Sequence, residues 1–334
     1  MPKIKAALLG LGTVGRGVYE SICTHQRELR RLLGAEVEIA GVLIQDEKKP
    51  RDIESGILVT ADFSDILALE GLDVIFEALI GTEPAYSYID RAMEEGIHVI
   101  TANKVMFAER GQQIVEKARL HGVKVGYEAA VAGGIPVIRT IRELLQINKI
   151  LRIQAVLNGT SNYILTAMRT EKTSFEAALN SAQEKGYAEA DPSNDIDGTD
   201  AFCKMQILCR LAFGSEPDWS RVEKQGIGHL SRKQIQSAER KNTKYKHIAD
   251  ITAVNGIVHA SLKPVLLEEG HPLYNVEGAD NAVFIQSSLL GNLLLIGPGA
   301  GSLPTASAMI EDLASFYASA ISKEIAREKQ IAGA

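Results

Sequence analysis

Apolar residues are distributed along this chain in two alternating textures. Short runs without a polar face, at residues 5–10, 37–44, 74–80, 99–101 and 123–127, suit strands buried on both sides of a parallel sheet. Between them the apolar positions return at three- and four-residue intervals. Val14, Val18 and Ile22 form one stripe, and 86–95 and 107–121 carry similar patterns, so these segments are expected to be amphipathic helices. Strand alternating with helix predicts an α/β domain with a parallel sheet. Past Gly133-Gly134-Ile135-Pro136 the texture changes to longer helical patterns, a polar stretch at 185–200, a basic segment at 232–246 that reads as a solvated face, and a strand-like run at 282–288, which predict a second, α+β domain. The last segment is helical again. Met309, Ile310, Leu313, Phe316, Tyr317, Ile321 and Ile325 recur at threes and fours, and this helix is expected to cross back onto the first domain. The expected division is 1–134 with 305–334, and 135–304.

Composition narrows the function classes. With 334 residues, 46% hydrophobic and 23% charged, the chain is expected to be globular with about two domains. A net charge of -6 makes nucleic acid and anionic membrane poor partners. Cys23, Cys203 and Cys209 are odd in number and contain no C-x-x-C pair, which argues against a disulfide framework or zinc knuckle and for a reducing compartment. No apolar run reaches about 18 residues, and the start leads into a strand pattern rather than a signal peptide, so a cytoplasmic protein is expected.

Gly10-Leu11-Gly12-Thr13-Val14-Gly15 is a G-x-G-x-x-G between a predicted strand and a predicted helix. In that context Gly10 permits the tight turn, Gly12 lets the backbone approach a pyrophosphate, and Gly15 allows close helix-to-strand packing. The free N–H groups of the helix face the phosphate. The first domain is therefore expected to be a Rossmann-type dinucleotide-binding domain. The second strand ends Gln45-Asp46, followed by Lys48, Lys49 and Arg51. The acid suits the ribose hydroxyls of NAD and the basic residues a 2′-phosphate, so both coenzymes stay open.

In the second domain, residues 185–204 concentrate acids just before the apolar run 205–213. Asp197 or Thr199 would cap a helix there, and acids suit its first turn. Asp200 and Lys204 then share one helical face. As an exposed pair they would contribute only about 0.3–0.5 kcal/mol. Beside a dinucleotide domain, the same residues suit an amino-acid substrate: acids for its ammonium, and a lysine as proton donor. Thr101-Ala102-Asn103-Lys104 ends a predicted strand at the edge where open parallel sheets bind ligands. Residues 128–136 read either as a hinge or as backbone carbonyls for a hard cation. None of the nine tyrosines begins a Y-x-x-x-K, the seven histidines show no H-x-x-x-H, and the cysteines fall within predicted helices. Lysine-assisted carbonyl reduction survives this elimination.

Together these motifs resemble the homoserine dehydrogenases over essentially the whole chain. The match comprises G-L-G-T-V-G at 10–15, T-A-N-K at 101–104, E-A-x-V-x-x-G-x-P at 128–136, N-G-T-S-N-Y-I-L at 158–165, K-G-Y-x-E-x-D-P-x-x-D-x-x-G-x-D-x-x-x-K at 185–204, and G-P-G-A-G at 297–301. The resemblance implies reversible NAD(P)-dependent interconversion of L-homoserine and L-aspartate 4-semialdehyde, in threonine and methionine biosynthesis. It implies substrate contacts from Glu189, Asp195 and Asp200, and Lys204 as the proton donor, with Lys104 as a second candidate near the nicotinamide. Gly10, Gly12, Thr13, Val14, Gly15, Lys104 and Gly301 would line the cofactor. The family's monovalent cation site, usually sodium, would use backbone atoms of Glu128, Val131, Gly133 and Ile135. The second domain would also serve dimerisation, pairing through the run 282–288, in a homodimer or higher homo-oligomer. Many relatives have arginine where this chain has Gln45, and many carry a C-terminal regulatory domain after the last helix, so threonine feedback through such a domain is not expected here. Two alternatives are another NAD(P)-dependent oxidoreductase on an amino-acid substrate and an inactive NAD(P)-binding sensor. The sensor would be expected to lack the acid and lysine set.

Overall fold

The computed structural model describes residues 2–46 and 52–332, with side chains described as far as Tyr317. The chain divides into two compact units, Met1–Ala130 with Gly301–Ala334, and Val131–Ala300.

The first unit runs β1 (Lys3–Leu9), α1 (Thr13–Thr24), α2 (Gln26–Leu33), β2 (Glu36–Leu43), β3 (Leu58–Thr60), α3 (Phe63–Leu67), β4 (Val74–Glu77), α4 (Ala85–Glu94), β5 (His98–Thr101), α5 (Lys104–His121) and β6 (Val125–Gly126), with a C-terminal helix Ser302–Ala332. Its six strands are parallel, in the order β3-β2-β1-β4-β5-β6. The two-residue period of a strand explains the layering. Ala6 and Leu8 face one side, packed with Val18, Ile22, Met309 and Leu313. Ala7 and Leu9 face the other, with Phe63, Ile66 and Ala92. Phe316 is buried in the first of these layers, with Ile310 and Tyr317 partly buried against it. The side chains of Ile321 and Ile325 lie outside the described residues. The apolar run 74–80 is strand only to Glu77, because the Glu77 carboxylate accepts the Leu79 N–H at 2.7 Å and turns the chain, leaving Ile80 96% exposed.

The second unit contains α6 (Val137–Arg139), β7 (Ile150–Val156), α7 (Gly159–Thr170), α8 (Phe175–Glu184), α9 (Ser193–Ile196), α10 (Thr199–Phe213), β8 (Glu223–Lys224), α11 (Arg232–Glu239), β9 (Thr243–Val254), β10 (Ile257–Glu268), β11 (Asp280–Ser287) and β12 (Gly291–Pro298). The sheet order is β12-β11-β7-β9-β10-β8, antiparallel except for β8 on β10. β9 and β10 form a hairpin whose two-residue loop, Asn255-Gly256, has positive φ at both positions (52° and 81°), the torsions of a type I′ turn.

Three sequence expectations need correcting here. The run 282–288 is interior, hydrogen-bonded to β7 on one side and β12 on the other, so it has no free edge to pair across a dimer. The segment 232–246 is not one solvated face: it spans α11 and the start of β9, where Lys246 is buried to 1% exposure. The residue capping α10 is neither Asp197 nor Thr199 but Gly198, at φ 79°, where a Cβ would lie 2.9 Å from the His247 ring.

Candidate active site

In the first unit, the crevice rule for open parallel sheets points to the carboxyl ends of β1 and β4, where the strand order reverses. The glycine turn lies there. Gly10 takes φ 95°, and a Cβ on Gly15 would sit 2.0 Å from the Gly10 carbonyl oxygen, so both glycines are required by the protein's own packing. Gly12 is different. A Cβ there meets nothing within 4 Å, and α1 begins with no side-chain cap, so the space and the free N–H groups fit an incoming pyrophosphate. Thr13 is exposed and Val14 half-buried on this turn. Ser302, which follows Gly301, donates to the Thr13 carbonyl at 2.9 Å and so ties the start of the C-terminal helix to the same turn. Gln45 and Asp46 are exposed beyond β2, while Lys48, Lys49 and Arg51 lie outside the described residues. Lys104 is the half-buried first residue of α5, whose N-cap is Asn103.

The second unit gathers a different set. Asp200 and Lys204, one helical turn apart on α10, form an ion pair at 2.7 Å with side chains only 7% and 9% exposed. That burial separates them from a surface pair: two charges held out of water need every remaining partner in place. Each charge has a further partner besides the other. Lys204 Nζ also donates to the Leu157 carbonyl at 2.9 Å, and Asp200 Oδ2 also accepts from Asn158 Nδ2 at 2.9 Å. The same Asn158 nitrogen donates to Asp195 Oδ1 at 2.6 Å, while Asn158 Oδ1 caps α7 by accepting the Ser161 N–H at 2.8 Å. Asn281, on β11, donates to Leu157 O at 2.9 Å. Asp195 is half-buried; burial raises its pKa and the Asp200 charge adds to this, against the pull of Asn158.

The structure thus brings Asp195, Asp200 and Lys204 together. Glu189 is exposed and takes no part in their hydrogen-bond network, although its backbone carbonyl accepts from Gln183 at 3.1 Å. Asn158 and the Leu157 carbonyl join the set without having been singled out from the sequence. Asn158 opens one of the motifs of the family resemblance, but its local signal, an asparagine opening a helix, is that of an ordinary N-cap and gives it no chemical role. Of the cation set, Glu128, Val131 and Ile135 are buried, and Gly133 at φ 56° packs so closely that a Cβ would lie 2.5 Å from Gly299, a packing reason for glycine that needs no ion. Among the described residues no group of three or more His, Cys, Asp or Glu can hold a metal ion, and no helix is long and apolar enough to cross a membrane.

Comparison with known proteins extends this picture. A family model described as "Homoserine dehydrogenase, NAD binding domain" matches residues 10–128, and one described as "Homoserine dehydrogenase" matches 136–314. The homoserine dehydrogenase of Bacillus subtilis is 38% identical over 94% of this chain and 72% of its own length. The crystal structure of a homoserine dehydrogenase from Thiobacillus denitrificans superposes with a TM-score of 0.90 at 37% identity, over 95% of this chain and 74% of that one. A hyperthermophilic archaeal homoserine dehydrogenase in complex with NADPH gives 0.79 at 28% identity, over 93% of this chain and 96% of that one. With a dinucleotide turn in one unit, a buried lysine and acid set in the other, and matches to both family models, the chain belongs to the homoserine dehydrogenase family, whose members are NAD(P)-dependent oxidoreductases.

Proposed function

We propose that this chain interconverts L-homoserine and L-aspartate 4-semialdehyde with NAD(P), using Lys204 as the proton donor. The observation that carries this reading is the chain of hydrogen bonds from the half-buried Asp195 through the buried Asn158 and Asp200 to Lys204. When bound, the reduced coenzyme NAD(P)H would supply the hydride for C4 of the semialdehyde and leave as NAD(P)+, the reverse holding for homoserine oxidation. An ammonium group has three N–H donors. Lys204 commits two of them, to Asp200 Oδ2 and to Leu157 O, and the third serves the oxygen of a substrate held alongside. Proton transfer from that position to the developing alkoxide is worth about 10² to 10⁴ in rate. Asp195 and Asp200 orient the amino and hydroxyl groups of the substrate. Glu189, on the exposed segment before α9, contributes ground-state binding. Lys104 belongs to the cofactor and substrate site at the carboxyl edge of the first sheet. Gly10, Gly12, Thr13, Val14, Gly15 and Gly301 line the cofactor.

Backbone atoms of Glu128, Val131, Gly133 and Ile135 are the proposed ligands of a monovalent cation such as sodium, and no step above depends on it. One of the two edge strands of the second sheet, β12, carries the exposed Ile296 and suits pairing with a second copy. An odd number of cysteines with no C-x-x-C pair supports a reducing, cytoplasmic setting. The deciding experiment assays NAD- and NADP-dependent oxidation of homoserine side by side. Turnover with either coenzyme supports the proposal and reports the preference. Coenzyme binding without turnover points to the sensor reading, and turnover only on another amino alcohol to a different oxidoreductase.

A further inference from the structure

Glu77 ends β4 with a carboxylate that is completely buried. The groups that reach it are neutral donors: the Thr101 hydroxyl at 2.5 Å, the Leu79 N–H at 2.7 Å and the Asn103 amide at 3.4 Å. Burial pushes its pKa up to about 7 against the pull of those donors. Holding up a strand end does not call for an acid at such depth, since an apolar side chain continues the run of Val74, Ile75 and Phe76.

The hydrogen bonds show what the acid does. A hydroxyl has a single proton, and Thr101 gives it to Glu77 Oε2, so a lone pair of Thr101 turns to the Asn103 N–H at 2.9 Å. Asn103 is then held at both ends of its amide: its Nδ2 reaches the Gly81 carbonyl at 2.7 Å as well as Glu77, and its Oδ1 accepts the Met106 N–H at 3.1 Å to cap α5. The next residue is Lys104, the first of the helix. One carboxylate therefore sets a hydroxyl, the hydroxyl sets an asparagine, and the asparagine fixes the turn from which the lysine side chain departs. The same carboxylate, through Leu79, shapes the loop after β4, whose Ala78 carbonyl lies 3.0 Å from where a Cβ on Gly10 would be.

We propose that Glu77 is a positioning residue for the reaction: its two oxygens order Thr101 and Asn103 and through them place the Lys104 ammonium at the carboxyl edge of the sheet. This rests on reading Lys104 as part of the cofactor and substrate site. Glutamine is the discriminating substitution. It has nearly the same shape but only one acceptor oxygen, so its NH₂ must face one of the donors.

The test is a two-by-two set of the whole chain: parent, Glu77→Gln, Lys104→Met and the double variant, each assayed for turnover and KM in homoserine oxidation. In the parent background Glu77→Gln is expected to lower turnover by about 10- to 50-fold, the scale of a small misplacement of an active-site group. With Lys104 already gone, the same change is expected to cost less than about threefold, the non-additivity of residues acting as one unit. Equal losses in both backgrounds would mean general loosening and overturn the proposal while leaving the reading of Lys104 intact. Unimpaired turnover of Lys104→Met would sink that reading, and the positioning role with it. If Glu77→Gln does not fold, Thr101→Val, which keeps the carboxylate and removes the relay, takes its place in the same cycle with the same expected and overturning outcomes.

Discussion

Each unit buries acid, and the two treat it in opposite ways. At the end of β4, the described residues that reach Glu77 are neutral donors, and burial wins: its pKa rises to about 7. In the second unit Asp200 has an ammonium at 2.7 Å, and a single amide nitrogen ties it to Asp195. A third acid, Glu277, marks the other extreme. Burial acts to raise it, yet Lys244 at 2.7 Å, Arg169 at 2.8 Å and Lys246 at 3.6 Å draw its pKa down to about 2. Burial acts to raise both the fully buried Glu77 and the half-buried Glu277, so the opposite outcomes reflect their neighbours: neutral donors at one, three cations at the other. An acid with a counter-ion is equipped to meet a charged substrate, whereas an acid among neutral donors is equipped to hold those donors in place.

The strongest way to break this contrast is to remove the counter-ion. Lys204→Ala should cost at least about two decades of turnover in steady-state kinetics, while coenzyme affinity, measured by fluorescence titration, should barely change; near-normal turnover would remove Lys204 from its role. Next in size is Asn158→Ala, expected to lower kcat/KM about tenfold, since a hydrogen bond to a charged group is lost. Asn158 holds the Asp195 pKa down, so its loss should also move the acid limb of the kcat/KM profile to higher pH. A limb that stays in place would separate Asp195 from catalysis by the free enzyme.

Glu189→Gln is expected to do less. Loss of an exposed, ground-state contact should raise the homoserine KM by about threefold to tenfold and reduce turnover less than that; collapsed turnover at constant KM would contradict the assignment. The smallest effect concerns stability. Glu77 has an ordinary value of 4.5 and a folded value of about 7, so the folded chain binds the extra proton between them. The resulting stabilisation is full below about pH 4.5 and is lost as pH rises through about 7. Glu77→Gln lacks this dependence, so its melting temperature should gain on the parent's by about 5 °C between pH 5 and pH 8. A constant gap across that range would mean that Glu77 does not titrate there.

Local signals made much of the first unit legible. The glycine turn, the stripe of Val14, Val18 and Ile22, and the apolar runs depend on neighbours within a few residues, and the strands and helices stand where those patterns occur. The Asn255-Gly256 dipeptide announces its hairpin in the same way. Asp200 and Lys204 were readable as a pair because a helix brings residues four apart to one face.

What the chain's order of residues determined, then, was where strands and helices form, which residue types could do the chemistry, and the family resemblance. Only tertiary structure decided which of them meet. Asn158 reaches Asp195 and Asp200 across 37 and 42 residues because α7 starts where β7 ends. It likewise buried Lys246 within an otherwise basic segment, closed both edges of β11, and put Glu77 beside Thr101 and Asn103. The physical reason is range: backbone periodicity and turn chemistry act over a few residues, whereas burial and charge compensation are set by groups that only the packed chain brings within 3 to 4 Å of one another.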